Sequence, residues 1–266
     1  MSKQYNSLPI TRVAATITGV AGIGAPMHAE PSVKMICSYA ESVFAGKHAS
    51  RVFMYHPDAV ALWLYQKYTA MFEKAVLQSN MQLPMRSVMP TVTPVCFASM
   101  YTGAMPDVHG INAYIKPTVK TDSVFDAYIR AGLKPVIVST TGASLSRIFL
   151  EREMDYFIFD SHEDCTRKAV ELITKDEHDL IVLYNGNYDT VMHRTGPESE
   201  EALNELRYNI DTYSMLIKQI EKSWHGHRTM IGFCPDHGCH EIDGNCGGHG
   251  LDMAEDMDIV HFYRFV

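Results

Sequence analysis

The residues able to do chemistry collect in four short segments, each beginning where an apolar run ends. In the first, residues 51–60 (RVFMYHPDAV), Asp58 lies just beyond the run. An aspartate there can cap the next helix or ligate a metal. The second, residues 90–111 (PTVTPVCFASMYTGAMPDVHGI), contains Thr93 followed by Pro94. This pair reads as a helix start, with the threonine as N-cap and the proline at the first helical position. The helix is expected to run to Thr102 and stop at Gly103. A hydroxyl at a helix N-terminus sits in positive partial charge beside free N–H groups, which suits an attacking oxyanion and a phosphoryl group as well as an ordinary cap. In the third, residues 180–197 (LIVLYNGNYDTVMHRTGP), Asp189 and His193 are four apart. One helical turn puts them on one face, as two ligands of one metal or as a solvated turn. The fourth, residues 230–250 (MIGFCPDHGCHEIDGNCGGHG), has Asp236 and His237 directly after an apolar run and His249 in a Gly-Gly-His-Gly loop. A glycine-flanked loop histidine is rarely a core residue.

Together the segments offer three aspartates, three histidines and one threonine. Two tetrahedral sites of mixed carboxylate and imidazole ligands can be built from them, a donor set that suits zinc, with manganese and iron also accepted. Two cations ~4 Å apart have a clear use: one activates a nucleophile, and both brace the oxygens of an in-line displacement at phosphorus.

Something must bring these segments to one place. Short apolar runs at 51–55, 135–139, 156–159, 180–184, 229–233 and 259–265 read as strands. Helical patterns occupy 59–78, 123–131, 163–175 and 200–222, the last with apolar residues at Leu203, Leu206, Ile210, Tyr213 and Ile217. Five-residue strands separated by helices imply βαβ units and an α/β fold whose mostly parallel central sheet is covered by helices on both faces. Ligands of such sheets gather at the carboxyl ends of the strands, where the four segments fall. Gly19, Gly22 and Gly24 read as a tight turn, since their order is not that of a dinucleotide-binding loop.

The composition fits. The chain has 266 residues, 46% hydrophobic and 20% charged, enough for a large core and too apolar for disorder. A formal charge of −8 without any Lys/Arg block argues against a nucleic-acid polymer as partner. No run approaches the ~20 apolar residues of a membrane helix, and no signal peptide is evident at the N-terminus, so a cytoplasmic protein with no membrane partner is expected. The six cysteines match no common zinc or disulfide spacing and read as reduced packing thiols. His225, His227 and His240 flank the site segments and are expected to lie on the surface or behind the ligands. Trp63 and Trp224 fall on amphipathic helices and read as core or subunit-contact residues.

The combination resembles the alkaline phosphatase superfamily, specifically its type I phosphodiesterase/nucleotide pyrophosphatase branch. The resemblance rests on Thr93 with Thr102-Gly103 after it, Pro106, His109-Gly110-Ile111, then Asp189 and His193, Asp236-His237-Gly238 and His249, in the family's order. It implies one alkaline phosphatase-like catalytic domain over residues 1–266, with residues 1–50 of unassigned role. It implies a hydrolase of phosphodiesters or pyrophosphates working through a phospho-threonine on Thr93. Asp189, His193 and His249 would hold one divalent metal and Asp58, Asp236 and His237 the other, with zinc first among candidates. The family has Asp-Gly where this chain has Asp58-Ala59, which leaves His56 as a competitor, and Thr91 competes with Thr93. A phosphate-binding asparagine of the nucleotide-cleaving relatives falls at Tyr114, with Asn112 two residues earlier and Lys116 as an outside candidate; Asn112 and Tyr114 are the expected substrate-binding residues. The elements between His109 and Asp189 leave no room for a large cap domain, so the site is open or completed in a homodimer. The partner is a small phosphoryl substrate such as a nucleotide. Alternatives on the same scaffold are a phosphomonoesterase, a phosphonate hydrolase, a phosphomutase and an inactive metal-binding protein.

Overall fold

The computed structural model describes residues 5–266. Strands in chain order are β1 (Arg51–Pro57), β2 (Met81–Arg86), β3 (Pro135–Thr140), β4 (Asp155–Phe159), β5 (Leu180–Asn185), β6 (Thr229–Phe233), β7 (His240–Ile242), β8 (Cys246–Gly248) and β9 (Asp258–Phe265). The helices are α1 (Val13–Ala21), α2 (Lys34–Val43), α3 (Leu62–Lys67), α4 (Glu73–Gln78), α5 (Thr93–Thr102), α6 (Pro106–His109), α7 (Val124–Arg130), α8 (Leu145–Ile148), α9 (His162–Lys175), α10 (Asn187–Thr195), α11 (Glu200–Ser223) and α12 (Ala254–Met257).

Seven strands form one sheet in the order β2-β9-β6-β1-β5-β3-β4. The pairs from β6 to β4 are parallel, while β9 runs antiparallel to β6 and to β2. The sheet is therefore α/β and mostly parallel, with an antiparallel edge. Alternation along each strand sorts side chains onto two cores. Val52, Met54, Ile137 and Val182 face one core with α1, α2, α5 and α7, while Phe53, Tyr55, Val138 and Ile181 face the other with α9, α10 and α11.

Two local readings change, and one segment without a reading gains a structure. The pattern over 59–78 is two helices, α3 and α4, separated by a 3-10 turn at Thr69–Phe72. The Thr69 hydroxyl donates back to the carbonyls of Tyr65 and Gln66, and such local bonds compete with a continuing helix. Gly19 lies inside α1, and of the three early glycines Gly22 makes the turn, at φ 72°. Residues 13–20, almost all buried, form a helix that packs on α2, α5 and α7. Among the described residues no helix is long and apolar enough to cross a membrane.

At the carboxyl edge of the sheet β1 delivers Asp58, whose N–H donates to the Asn185 carbonyl at the end of β5. Past β5 comes α10 with Asp189 and His193, and past β6 come Asp236 and His237. The β7–β8 hairpin presents His249, and α5 begins with Thr93.

Candidate metal centre and nucleophile

Six side chains meet there in two groups of three. Asp189, His193 and His249 form one and Asp58, Asp236 and His237 the other, each with its candidate ligand atoms within 4.8 Å of one another. The groups adjoin through His237 and His249, whose ring centroids are 4.1 Å apart.

Each imidazole is fixed the same way. Nδ1–H of His193 donates to the Gly247 carbonyl at 2.9 Å, that of His237 to Gly238 at 2.9 Å, and that of His249 to Thr91 at 2.8 Å. The carbonyl can only accept, so each ring turns Nε2 toward the site, the tautomer that suits a metal ligand. The approach of β8 to α10 depends on Gly247, where an added Cβ would fall 2.7 Å from the Met192 carbonyl oxygen.

The carboxylates lack comparable partners. Asp58 Oδ1, Asp189 Oδ1 and both oxygens of Asp236 are buried without a hydrogen bond. Asp189 Oδ1 lies 3.3 Å from Nε2 of both His193 and His249, and Asp58 Oδ1 lies 3.3 Å from His237 Nε2, without aligned bonds. Bare buried carboxylate oxygens are strongly unfavourable unless a cation or proton compensates them. Four such oxygens facing three outward Nε2 atoms fit divalent metals.

The electrostatics agree. Burial, and then the charge on Asp189, pushes the Asp58 carboxyl up to about 7. Burial and Asp58 push Asp236 well above the usual carboxylate range. Burial also raises Asp189, but His193 and His249 beside it outweigh that and hold it low. The Asp189 carboxylate lifts His193 to about 9, while burial and the neighbouring His249 take His237 down to about 3.

Thr93 sits against the Asp58 group. Its Oγ1 lies 3.3 Å from Asp58 Oδ2, to which it donates, and 3.3 Å from His237 Nε2. Contrary to the sequence reading, Thr93 is the first helical residue rather than the N-cap. Val92 occupies the cap, Pro94 the next helical position, and no side chain caps α5. The Thr93 hydroxyl therefore faces the site instead of closing the helix. Thr91 is fully buried, its carbonyl engaged by His249 and its Oγ1 accepting from Gly250 N–H.

His56 points away from the ligand groups. Its Nδ1–H donates to the Cys234 carbonyl at 2.6 Å, and its Nε2 accepts from the Tyr101 hydroxyl at 2.6 Å. His261 repeats the arrangement, with Nε2–H to the Pro235 carbonyl at 2.8 Å and Nδ1 accepting from Tyr263 at 3.0 Å. The Ser87 hydroxyl donates to the Asp236 carbonyl at 2.7 Å. Three consecutive carbonyls leading into His237 are thus each held by a buried side chain. Tyr184 adds a hydroxyl donating to Asp58 Oδ2. Sequence reasoning passed over His261, Ser87 and Tyr184. A histidine inside an apolar run is the available signal, since a buried imidazole needs partners.

Ala59 adopts φ 62°, the left-handed region where a Cβ is unfavourable. That geometry accounts for the glycine expected after the aspartate. Of the substrate-binding candidates, Tyr114 lines the cavity beside Thr93, with Lys116, whereas Asn112 is exposed and outside that lining. His240 Nδ1 pairs with the buried Asp256 at 2.7 Å, and His227 Nε2 with Asp176 at 2.8 Å. Trp224 is buried, and Trp63 donates to the Cys239 carbonyl.

Residues 61–141 match the family described as type I phosphodiesterase / nucleotide pyrophosphatase. A 92-residue stretch is 30% identical to the human ectonucleotide pyrophosphatase/phosphodiesterase family member 7, covering 35% of this chain and 18% of that protein. The fold is similar to that of human ectonucleotide pyrophosphatase/phosphodiesterase 5, with TM-score 0.57 and 19% identity over 73% of this chain and 58% of that one. It is also similar to the murine form, an inactive threonine-to-alanine variant in complex with AMP, with TM-score 0.54 and 20% identity over 73% and 59% of the two chains. The chain thus spans under two thirds of the length of these relatives. Residues 61–141 are thus similar to the type I phosphodiesterase / nucleotide pyrophosphatase family, and the fold is similar to that of the ectonucleotide pyrophosphatase/phosphodiesterases over 73% of the chain.

Proposed function

We propose that the protein is a metal-dependent phosphohydrolase that cleaves a phosphodiester or phosphoanhydride through a phospho-threonine on Thr93. One observation carries the reading: the Thr93 hydroxyl lies 3.3 Å from both Asp58 and His237, beside buried carboxylate oxygens with no hydrogen-bond partner. Asp58, Asp236 and His237 would hold one divalent cation and Asp189, His193 and His249 a second, with zinc the first candidate. When bound, the cations supply the positive charge that acidifies a hydroxyl and stabilises oxygens on phosphorus.

The chain's own groups set up the rest. Asp58 accepts the Thr93 hydrogen bond and so aims the oxygen's lone pairs outward, and Tyr184 fixes the rotamer of Asp58. The N-terminus of α5, ten residues long, adds its partial positive charge where an oxyanion forms. Thr93 Oγ, its proton released along the hydrogen bond to Asp58, bonds to phosphorus as the leaving oxygen departs with its electron pair and takes a proton from solvent. Water then attacks the phospho-threonine, releasing the phosphoryl product and restoring the hydroxyl. The relative solved with AMP, inactive through loss of a threonine, supports both the nucleophile and the phosphoryl substrate class.

The test compares zinc-loaded and manganese-loaded protein on bis-p-nitrophenyl phosphate and p-nitrophenyl phosphate. Faster diester cleavage that chelation and Thr93→Ala each abolish is the expected result. Monoester preference would move the protein to a phosphomonoesterase. Full activity in Thr93→Ala would overturn the nucleophile.

A further inference from the structure

The cavity in front of Thr93 extends away from the ligand groups toward the ends of β3 and β4. It measures about 220 Å³, and its far wall is formed by Lys116, Thr140, Thr141, Ser144 and His162. Sites for drug-sized ligands usually run from ~300 Å³ upward. Apart from Asp58, Thr93, Asp189 and Tyr184, the wall is hydroxyls, backbone, an imidazole and one ammonium, with no branched aliphatic side chain. Tyr114 is the one further aromatic ring, largely exposed at the mouth, and the Lys116 ammonium lies 4.9 Å from its centroid. A nucleobase needs flat apolar walls on its faces, and this cavity does not provide them.

Several of its polar groups lack partners. His162 Nδ1 is buried and unpaired. The hydroxyls of Thr140 and Ser144 make no hydrogen bond to the described residues. Lys116 donates to the Gly142 carbonyl at 2.8 Å, which holds the ammonium at the wall, and it keeps two further N–H donors. Unpaired donors around a single fixed cation complement a compact, oxygen-rich anion.

We infer that the substrate carries, besides the phosphorus that Thr93 attacks, a small acidic group such as a carboxylate that binds against Lys116, Thr140, Ser144 and His162, in place of a nucleoside. The inference rests on the proposed phosphohydrolase reading and narrows its substrate class. Lys116 is then a specificity-determining residue.

Calorimetric titration of the zinc-loaded Thr93→Ala variant with three probes tests it: 2-phosphoglycolate, ethyl phosphate and AMP. Phosphoglycolate should bind at least tenfold more tightly than either of the others. Lys116→Met should bring the phosphoglycolate-to-ethyl-phosphate ratio close to one, and Lys116→Arg should keep most of it. Tightest binding of AMP, or an undiminished ratio in Lys116→Met, would overturn the inference while leaving the phosphohydrolase reading standing. Failure of all three to bind zinc-loaded protein, with no turnover of any aryl phosphate, would remove both.

Discussion

Without metal, Asp58 should cost the protein stability as the pH rises from about 4 to 7, against the trend set by the buried histidines. The perturbation acts on Asp58, fully buried and facing Asp236 and Asp189. Its carboxyl titrates at 3.8 in an open chain and at about 7 in the folded protein. Between those values the unfolded chain has released the proton and the folded one keeps it, so through this group each step up in pH favours unfolding. Roughly three pH units at about 1.4 kcal/mol each give a loss on the order of 4 kcal/mol. Asp236, raised further by burial and by Asp58, acts in the same direction. Asp189, held low, has delivered its stabilisation by pH 4, whereas His56, His237 and His261, kept neutral by burial, favour folding as the pH rises toward 6.5, so the Asp58 contribution is read as a difference from a variant that lacks it. Against a usual total of ~5–15 kcal/mol, a contribution of that size is readily measured. The assay is urea unfolding of chelator-treated wild type and Asp58→Asn from pH 4 to 7. The variant keeps the shape and removes the titration, so its free energy should overtake that of wild type by up to about 4 kcal/mol at pH 7. A wild-type curve parallel to that of Asp58→Asn would refute the reasoning, because Asp58 would then be ionised in the fold at no cost.

Three further outcomes are expected. His193 is lifted to about 9 by Asp189, so a cation at that group must displace a proton below this pH; zinc affinity measured by competition should fall about tenfold per pH unit from 9 down toward 7. Tyr101→Phe and Tyr263→Phe remove only the hydroxyls behind His56 and His261, and His56→Gln removes the first of these braces. Each should weaken zinc at the Asp58 group by about 10–100-fold, as loss of outer hydrogen bonds does, with the Asp189 group unchanged; lower thermal stability with unchanged affinity would assign them a packing role only. Ala59→Gly relieves a left-handed backbone worth about 1–2 kcal/mol, partly offset by a looser unfolded chain, so urea unfolding should show a net gain of about 0.5–1 kcal/mol.

The parts of this structure legible in the sequence are those written as runs or as clusters. β1, β3, β5 and β6 are central, buried on both faces, and therefore continuous apolar segments. β2 was not legible: it is an edge strand containing Pro84, whose missing N–H is tolerated only there. The antiparallel direction of β9 was likewise hidden, because an apolar run carries no sign of its orientation. The six candidate ligands and Thr93 stood out because acidic and imidazole groups directly after apolar runs have few packing uses. The side chains that brace them did not. His56, Tyr184 and His261 sit inside strands, and their partners, including the Cys234 and Pro235 carbonyls, are brought close only by sheet register. The one-residue difference at Thr93 has a similar origin, since Pro94 is accepted at either of the first two helical positions and the hydroxyl's partners lie on other strands.

The central claim is that Thr93 is the nucleophile of a two-cation site. Acid quenching of zinc-loaded protein during turnover of bis-p-nitrophenyl phosphate, followed by peptide mapping, tests it most directly. The account predicts a phosphoryl adduct confined to Thr93, absent after chelation and absent in Thr93→Ala. Steady turnover with the adduct on another residue, or undiminished turnover in Thr93→Ala, would contradict it.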